Sequence, residues 1–376
     1  MRILIVTYEY PPVGGGAATA AEAIAKEFVQ LGHDPVILTG HGKGLPKHEV
    51  KNGISIRRVP SVRRAIDHAG ILEMATFLAA GLLYAPRLIR KHRIEAAVVF
   101  FSLPCGPIGL FSRWVCGTPY IVALRGGDVP GAEPSLRWLH RLLAPFRRSV
   151  LRHSLAITAN SEGLRRMAEA ADPFPVQVIA NGVDTAFFRP PAGQFLSPRP
   201  ARPLRVLFVG RFQGQKNLNF FLEEIARLPR GAIKVDLVGD GPDRTRLRDR
   251  AQDLGLAEFI QWHGWVPRSQ LLSFYQAADC LVNPSLYEGM SNVMLEAMAC
   301  GLPVIASNVA GNASLVVDGQ TGLLFHLESG SLARALERLI GNPDLRAELG
   351  AESRARVLSA FSWRRAAVRY VQLLEA

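Results

Sequence analysis

The chain has 376 residues, 48% of them hydrophobic, and a formal net charge of +12. Because single hydrophobic cores stop growing beyond about 250 to 300 residues, this length predicts two domains. The charge is uneven: residues 1–190 carry 23 Lys and Arg against 14 Asp and Glu, and the remainder carries 21 against 18. Such a bias favours an anionic partner, and its sign alone leaves a membrane surface, a phosphorylated lipid and nucleic acid open.

The sequence lacks the marks of a secreted, disulfide-bonded or membrane-spanning protein. The four cysteines, Cys105, Cys116, Cys280 and Cys300, have no metal-ligand or redox spacing, so we expect reduced core cysteines. The chain opens directly with a hydrophobic strand, without the charged region and cleavage site of a secretory signal. The longest apolar run, residues 74–86, is too short to span a bilayer. We therefore expect a cytoplasmic protein.

The first domain begins with a strand, a glycine loop and a helix. The strand Ile3–Thr7 is followed by Gly14, Gly15 and Gly16 and by an alanine-rich helix over about residues 17–31. Bare backbone in such a loop can approach a phosphate or a sugar. The G-x-G-x-x-G pattern is absent, so a dinucleotide site is not predicted, and a plain tight turn fits the glycines equally well. Further strands are predicted at residues 34–39 and 54–60.

Two basic amphipathic stretches occur in the first domain. Residues 61–93 place arginines and a lysine at both ends of an apolar run, and residues 136–152 alternate leucines and aromatic residues with arginines. Apolar helices with basic flanks are typical of elements that lie on a membrane surface. A core helix with solvated ends is the alternative for the first stretch.

A polar loop follows a buried strand at residues 119–124, which comes after another at 96–101. It reads Arg125-Gly126-Gly127-Asp128. The carboxyl ends of parallel strands are where such sheets gather binding groups, so Arg125 and Asp128 are candidate site residues. A purely structural Arg125–Asp128 pair at the loop is the alternative. A further strand at 155–159 and an Asn181-Gly182 turn precede a proline-rich linker at 191–203, so we expect domains over 1–190 and 204–361.

The second domain opens as the first does. The strand Leu204–Val209 leads into a loop that carries Arg211 and Lys216. The arginine guanidinium can make two parallel hydrogen bonds to a diphosphate, and the flexible lysine can add a positive charge. Without further evidence, a basic loop that is exposed to solvent is the simpler interpretation of these two residues. Strands at 233–238 and 280–283, a turn through Trp265 and Val266, and a helix at 270–277 follow.

The most informative stretch runs from Asn283 to Ser307. It predicts a loop, a helix and a buried strand, with Glu288 in the loop and Glu296 near the second helical turn. Ser291 is a suitable N-cap, so the amides of Gly289, Met290, Ser291 and Asn292 would point toward one cleft and favour an anion. On spacing alone, the simpler interpretation is that Glu296 is a solvated helix residue and Glu288 a loop carboxylate. The residues around Glu296 are too apolar for a solvated helix face, which argues against it.

This stretch closely resembles the donor-site signature of family 4 of the glycosyltransferases, which are retaining enzymes of the GT-B fold. The resemblance covers nearly the whole chain and is strongest from Arg205 to Phe325. It implies two Rossmann-like α/β domains that face each other across a deep cleft, with the acceptor on the amino-terminal side and the nucleotide sugar on the other. It also implies that the last helix, at 362–376, crosses back to the first domain.

The resemblance assigns roles residue by residue. Glu288 would hold donor sugar hydroxyls, Glu296 the ribose hydroxyls, and Arg211 and Lys216 the diphosphate. The glycine loop at 14–16 would reach the diphosphate or the acceptor, and Trp265 and Val266 would flank the nucleobase. The full set of candidate catalytic residues is Arg211, Lys216, Glu288, Arg125 and Asp128.

The chain departs from the family at one position. Where many members have a histidine at the start of the His-Gly-x-Asp segment, this chain has Arg125. The role of that histidine therefore does not transfer, and Arg125 could bind an anionic acceptor or donor group, with Asp128 on an acceptor hydroxyl.

The expected activity is transfer of a sugar from a UDP- or GDP-sugar to a saccharide or lipid-linked acceptor in cell-surface glycan or lipopolysaccharide synthesis. No Asp-x-Asp occurs in the chain, so no metal and no other cofactor is expected. The membrane stretches predict peripheral binding to the inner face of the membrane. An epimerase or hydrolase of nucleotide sugars on the same fold is one alternative. A nonenzymatic binder of anionic lipid is another, and nucleic acid is disfavoured because no aromatic stacking platform accompanies the arginines.

Overall fold

The computed structural model describes residues 1–62, 70–133, 136–191 and 203–376, which form two compact units. The first unit comprises Met1–Gly182 and Trp363–Ala376, and the second comprises Val183–Ser362. Residues 183–190, predicted to end the first domain, thus belong to the second unit. The reason is packing: Phe188 is fully buried and its ring meets that of Tyr275 edge-on, with centroids 5.7 Å apart. Most of the predicted linker lies outside the described residues.

The first unit is built on an eight-stranded sheet in the order β3-β4-β2-β1-β5-β6-β7-β8. All neighbouring strands are parallel except β3, which is antiparallel to β4. The central strands are fully buried, as expected for a parallel sheet covered on both faces. The strands are β1 Arg2–Val6, β2 Asp34–Gly40, β3 His48–Lys51, β4 Ile54–Val59, β5 Ala96–Phe100, β6 Tyr120–Leu124, β7 Ala156–Ala159 and β8 Val176–Val178.

Helices connect these strands. They are α1 Gly16–Gln30, α2 Ile71–His92, α3 Gly106–Cys116, α4 Arg137–Leu142, α5 Ala144–Arg152 and α6 Glu162–Ala171. The helix α3 was not predicted, because Gly106 and Gly109 near its start disfavour helix formation. Packing outweighs this preference: a Cβ at Gly106 would lie 2.5 Å from Val150 of α5, so only glycine permits that approach.

The helix α2 corrects one expectation from the sequence. It has 22 residues, because it continues on both sides of the apolar run, and by length and composition alone it could cross a membrane. One face of α2, with Phe77, Ala85 and Ile89, packs in the first core. Most of its apolar window lies outside that core. The predicted stretch before it includes residues 63–69, which lie outside the described residues.

The second unit contains a six-stranded parallel sheet in the order β11-β10-β9-β12-β13-β14. Its strands are β9 Leu204–Val209, β10 Ile233–Val238, β11 Ile260–Gly264, β12 Cys280–Asn283, β13 Val304–Ser307 and β14 Gly322–Phe325. Its helices are α7 Leu218–Ile225, α8 Arg244–Asp253, α9 Arg268–Ala277, α10 Asn292–Ala299, α11 Ala310–Leu315, α12 Ser331–Ile340 and α13 Pro343–Ala360. Three strands predicted from their apolar runs, β9, β10 and β12, have the predicted bounds.

The last helix, α14 Trp363–Glu375, belongs to the first unit. It packs beside α1 and contributes Trp363, Ala367, Tyr370 and Leu374 to the first core. The hydrophobic core of the first unit therefore contains residues of both β1 and α14.

Candidate functional site

The loops that follow β9 and β12 bring Lys216 and Glu288 together. Lys216 ends a single turn of 3₁₀ helix after β9, and its Nζ donates a hydrogen bond to Oε1 of Glu288. The side chains are only 18% and 9% exposed, so this ion pair is largely shielded from water. The Ser285 hydroxyl lies 2.9 Å from the same carboxylate oxygen. Two residues predicted for one site therefore meet in one salt bridge.

A buried polar network holds the Glu288 loop from behind. The Ser307 hydroxyl donates to the carbonyl oxygen of Ser285 at 2.5 Å, and the Asn312 amide donates to the carbonyl oxygen of Ser307 at 3.0 Å. A Cβ at Gly311 would overlap the carbonyl oxygen of Glu288, so the start of α11 presses directly on this loop. The position of the Glu288 carboxylate is thus fixed by packing as well as by Lys216.

Glu296 lies on α10 and is held by two donors. Arg268 Nε donates to Oε1 and the Tyr275 hydroxyl to Oε2, each at 2.9 Å. The guanidinium of Arg268 also lies over the ring of Phe188, 5.0 Å from its centroid. Burial raises the pKa of Glu296, and Arg268 opposes that shift. Each carboxylate oxygen keeps a second lone pair with which it can accept a ligand hydroxyl.

The amino end of α10 has the predicted cap. The Ser291 side chain accepts a hydrogen bond from the Met294 amide at 3.4 Å, and the helix begins at Asn292. Gly289 and Met290 precede the cap in the same loop as Glu288. The helix dipole at this end favours negative charge.

Arg211 occupies a loop that is pressed against its neighbour. The Phe212 amide donates to the carbonyl oxygen of Asp240 at 2.9 Å, and a Cβ at Gly239 would overlap the carbonyl oxygen of Gly210. The loops after β9 and β10 are therefore locked together at the carboxyl edge of the sheet. The next loop along this edge carries Val266 and Trp265, which is 69% exposed and free to contact a ligand.

In the first unit the glycine loop surrounds a carboxylate that sequence reasoning missed. Glu9 is largely buried, and its Oε2 accepts a hydrogen bond from the Gly15 amide at 3.3 Å. Gly14 has φ +103°, a conformation that favours glycine, and α1 begins at Gly16. Glu9 follows β1 by three positions, so its place at a strand end was the available signal.

The loop after β6 is organised around Asp128. Its Oδ1 accepts from the amides of Arg125 and Gly126 at 3.0 and 3.1 Å, and its Oδ2 accepts from the amide of Ser102 at 2.7 Å. Burial raises the pKa of Asp128, and these amides oppose the shift. Both oxygens accept from backbone amides, so Asp128 holds the loop, and its predicted contact with an acceptor hydroxyl stays a prediction.

Arg125 does not pair with Asp128 through its side chain. Its Nη1 donates to Oδ1 of Asn181 at 2.8 Å and its Nη2 to the hydroxyl of Tyr370 at 3.2 Å. The guanidinium carbon lies 4.1 Å from the centroid of the Phe100 ring. The predicted structural pairing of Arg125 with Asp128 is thus made by the Arg125 amide, while the guanidinium bonds to neutral side chains.

Two sequence families match the two halves of the chain. The family described as glycosyl transferases group 1 matches residues 195–356, and the glycosyl transferase 4-like domain matches residues 15–182. The 2-deoxystreptamine N-acetyl-D-glucosaminyltransferase of Streptomyces fradiae is 30% identical over 321 residues, which cover 79% of this chain and 75% of that protein. The chain belongs to the family 4 glycosyltransferases.

Solved structures show the GT-B fold for this family 4 glycosyltransferase. Sucrose-phosphate synthase from Thermosynechococcus elongatus superposes with a TM-score of 0.86 at 24% identity and covers 100% of this chain and 98% of that one. Anabaena HepE in complex with UDP-glucose gives a TM-score of 0.80 at 19% identity, with 100% and 99% coverage. The predicted family and fold class are confirmed.

The candidate residues of this family 4 glycosyltransferase divide between the units. Lys216, Glu288 and Glu296 lie in the second, whereas the glycine loop and Arg125 lie in the first. Glu288 and Glu296, predicted as a pair, each bond to a different cation. Sequence reasoning missed Arg268 and Gly311, which hold these two glutamates in place.

Proposed function

We propose that this glycosyltransferase transfers a sugar from a nucleoside diphosphate sugar with retention of configuration and without a metal ion. The observation that carries the proposal is the shielded Lys216–Glu288 pair in the loops at the carboxyl edge of the second sheet. A cation beside a carboxylate suits a ligand that presents phosphate oxygens and sugar hydroxyls together. HepE, which shares the fold, has UDP-glucose in its structure and supports this choice of donor class.

The departing diphosphate needs positive charge that is already in place. Lys216 and Arg211 supply it from the loop after β9, and the amides of Gly289 to Asn292 add the dipole of α10. Within the described residues, no group of three or more His, Cys, Asp or Glu side chains is arranged to hold a metal ion. The chain also has no Asp-x-Asp motif. The side chains and amides of this edge are therefore proposed to do the work that a metal does elsewhere.

The two glutamates are proposed to bind different parts of the donor. Glu288 would accept from hydroxyls of the transferred sugar while Lys216 turns toward the diphosphate. Glu296, neutralised by Arg268, would accept from ribose hydroxyls of a UDP- or GDP-sugar, beside Trp265 and Val266. The glycine loop of the first unit would approach the diphosphate or the acceptor.

Retention is proposed to occur by substitution on one face of the sugar. The bond from the anomeric carbon to the diphosphate oxygen breaks, and the acceptor oxygen forms its bond on the same face. The acceptor hydroxyl proton passes to the departing diphosphate. A double displacement would need a carboxylate placed to attack the anomeric carbon, whereas Glu288 is proposed to bind hydroxyls of the sugar.

The acceptor is proposed to be a saccharide, carried on lipid, in cell-surface glycan or lipopolysaccharide synthesis. The support is a face of the first unit formed by α2, α3, α4 and α5, which we name the basic–apolar face. After Glu73 these four helices contain no Asp or Glu. They leave Leu83, Trp114, Trp138 and Leu142 about 60% exposed or more. Tryptophan and leucine among arginines are typical of surfaces that lie on an anionic bilayer, so the enzyme would act on the inner face of the membrane.

Ligand-observed saturation-transfer NMR tests the donor proposal. UDP- and GDP-sugars are each added to the protein in the presence of a chelator, and a hit names base and sugar together. The product made with that donor is then examined by its anomeric proton coupling. No binding of any nucleotide sugar, or a product with inverted configuration, contradicts the proposal. Loss of all turnover with the chelator contradicts its metal-free part.

A further inference from the structure

Within the described residues, the guanidinium of Arg125 forms no salt bridge and donates its hydrogen bonds to neutral groups. Its two hydrogen-bond acceptors are the Asn181 side-chain oxygen and the Tyr370 hydroxyl, both neutral. Its Nε is buried and has no hydrogen-bond partner in the part of the chain that the structure describes. The nearest candidate acid, Asp128, has both oxygens occupied by backbone amides. Burial lowers the pKa of Arg125, and the nearby Asp128 carboxylate opposes that shift only in part.

Such an arrangement is costly to keep for structure alone. Buried charges in proteins are normally paired, because removing an ion from water without a partner costs several kcal/mol. Arg147, in the same unit, shows the usual solution: it makes two hydrogen bonds to the Asp172 carboxylate, at 2.7 and 3.2 Å. Arg125 has no equivalent, although its guanidinium is held in one orientation by Phe100, Asn181 and Tyr370.

The location of Arg125 indicates what the missing partner is. It follows the last residue of β6, at the carboxyl edge where a parallel sheet collects its ligands, and it is partly open to solvent. Each Nη retains one N–H after its bond within the protein. Arg211, Lys216 and Glu296, which are proposed to bind the diphosphate and the ribose, lie in the other unit, so we assign this edge to the acceptor.

We propose that Arg125 binds an anionic group, a carboxylate or a phosphate, on the acceptor sugar. The proposal rests on the glycosyl transfer proposed above and adds the chemical class of the acceptor. Guanidinium groups favour both of these anions because their planar N–H donors match the spacing of two oxygens. Arg125 would thereby select charged acceptors over neutral ones of the same shape.

The buried Nε–H of Arg125 provides a direct readout. Because it is shielded, its proton should exchange slowly and give a cross-peak in a ¹⁵N–¹H spectrum of arginine side chains, assigned as the peak that Arg125→Gln removes. Inorganic phosphate and acetate are the probes, and they separate the two kinds of anion. We expect one of them to shift this peak saturably at millimolar concentrations. No saturable shift with either probe overturns the proposal.

Variants separate anion binding from a purely structural role. Tyr370→Phe removes one partner of Arg125 but keeps its charge, so the anion-induced shift should persist even where the melting temperature falls. Arg141→Gln removes an exposed arginine of the same unit and should leave the shift unchanged. If Tyr370→Phe abolishes the response, the peak shift reports a change at the Arg125–Tyr370 contact and not an anion bound by the guanidinium, and the proposal fails.

Acceptor selectivity and donor binding are measured separately. In saturation-transfer NMR with the pair glucuronate and glucose, or glucose 6-phosphate and glucose, Arg125→Gln should reduce the preference for the charged sugar about tenfold or more, the scale of one charge-assisted hydrogen bond. Arg125→Lys should keep part of it. An unchanged preference overturns the proposal. UDP and GDP are the controls that separate this inference from the proposed function. If either nucleotide alone shifts the Arg125 peak, the anion that Arg125 binds belongs to the donor and the inference is overturned. The proposed glycosyl transfer would still stand.

Discussion

Lys216 and Arg125 occupy comparable places in the two units and differ in how their charge is compensated. Each lies in a loop at the carboxyl edge of a parallel sheet, close to a strand of the central part. Lys216 bonds to the Glu288 carboxylate, whereas the guanidinium of Arg125 bonds to the neutral side chains of Asn181 and Tyr370. A ligand that reaches Lys216 must compete with a carboxylate, but one that reaches the Arg125 guanidinium displaces no salt bridge. The edge that carries Lys216 is therefore suited to a ligand with both an anionic group and hydroxyls. The edge that carries Arg125 is suited to an anionic group alone.

The largest effect is expected from removing the paired cation. Lys216→Ala should lower kcat by about two orders of magnitude or more, because a preorganised donor to the developing charge on the diphosphate is lost. Lys234→Ala, an exposed lysine on β10, is the matched control and should leave kcat unchanged. Steady-state rates with a saturating donor make the measurement. A kcat for Lys216→Ala within twofold of wild type would remove Lys216 from the site.

The buried salt bridge between Arg147 and Asp172 should contribute to the free energy of unfolding. Arg147→Gln leaves the buried Asp172 carboxylate with only the half-exposed Arg148, so the free energy of unfolding should fall by about 3 kcal/mol. Arg148→Gln should cost about 1 kcal/mol or less because that arginine is solvated. Arg125→Gln, which breaks no ion pair, should cost less than Arg147→Gln. Urea unfolding at neutral pH ranks the three variants.

The pH dependence of the Arg147 effect follows from Asp172. Burial alone would raise the pKa of Asp172, but hydrogen bonds from Arg147 and Arg148 outweigh it and lower the pKa below its usual value. A carboxyl whose pKa is lower in the folded state stabilises the protein above its unfolded pKa, near 3.9, and loses that stabilisation as the pH falls further. The difference between wild type and Arg147→Gln should therefore shrink below about pH 4. A constant difference down to acid unfolding would contradict this account.

A smaller effect on kcat is expected from a substitution that displaces the loop carrying Glu288. A Cβ at Gly311 would overlap the Glu288 carbonyl oxygen, so Gly311→Ala should displace this loop and lower kcat about tenfold to a hundredfold, since misplacement of about 1 Å can cost that much. Gly341→Ala, where a Cβ meets nothing within 4 Å, is the control. Wild-type kcat for Gly311→Ala would show that the loop tolerates the shift.

The smallest effects per residue are expected at the basic–apolar face. Replacing the arginines Arg137, Arg141 and Arg148 by glutamine should release the protein from anionic vesicles in flotation, since each contributes about 1 kcal/mol at such a surface. Arg147 does not belong in this set, although the sequence placed it there, because it is buried with Asp172. Trp114→Ala should weaken binding further, whereas Arg246→Gln in the second unit should not. Failure of the wild-type protein to float at low salt would make a soluble acceptor the better choice.

The sequence predicted the parts of the molecule that depend on short-range pattern. Parallel strands such as β9 and β10 are continuous apolar runs, and the Ser291 cap stands beside the residues it bonds. The Lys216–Glu288 partnership was reachable only because the resemblance to family 4 placed both at the donor, since they are 72 residues apart. Contacts made across such separations leave no local signal.

What the sequence could not predict depends on such long-range contacts. Arg268 reads as a solvated residue at a helix start until Glu296 and Phe188 are found beside it. Arg147 reads as one more cation on an amphipathic helix, because Asp172 lies on the other side of β7 and α6 in the chain. The bond from the Arg125 guanidinium to Tyr370 could not be predicted either, since Tyr370 is 245 residues away.

The return of α14 to the first unit fixes the order in which the molecule can be completed during translation. Between β8 and α14 the ribosome must make every residue of the second unit. Until then the first core lacks Trp363, Ala367 and Leu374, and Arg125 lacks the hydroxyl of Tyr370. The second unit is contiguous and can fold as it emerges, so the half of the enzyme that is synthesised first is the half that is finished last.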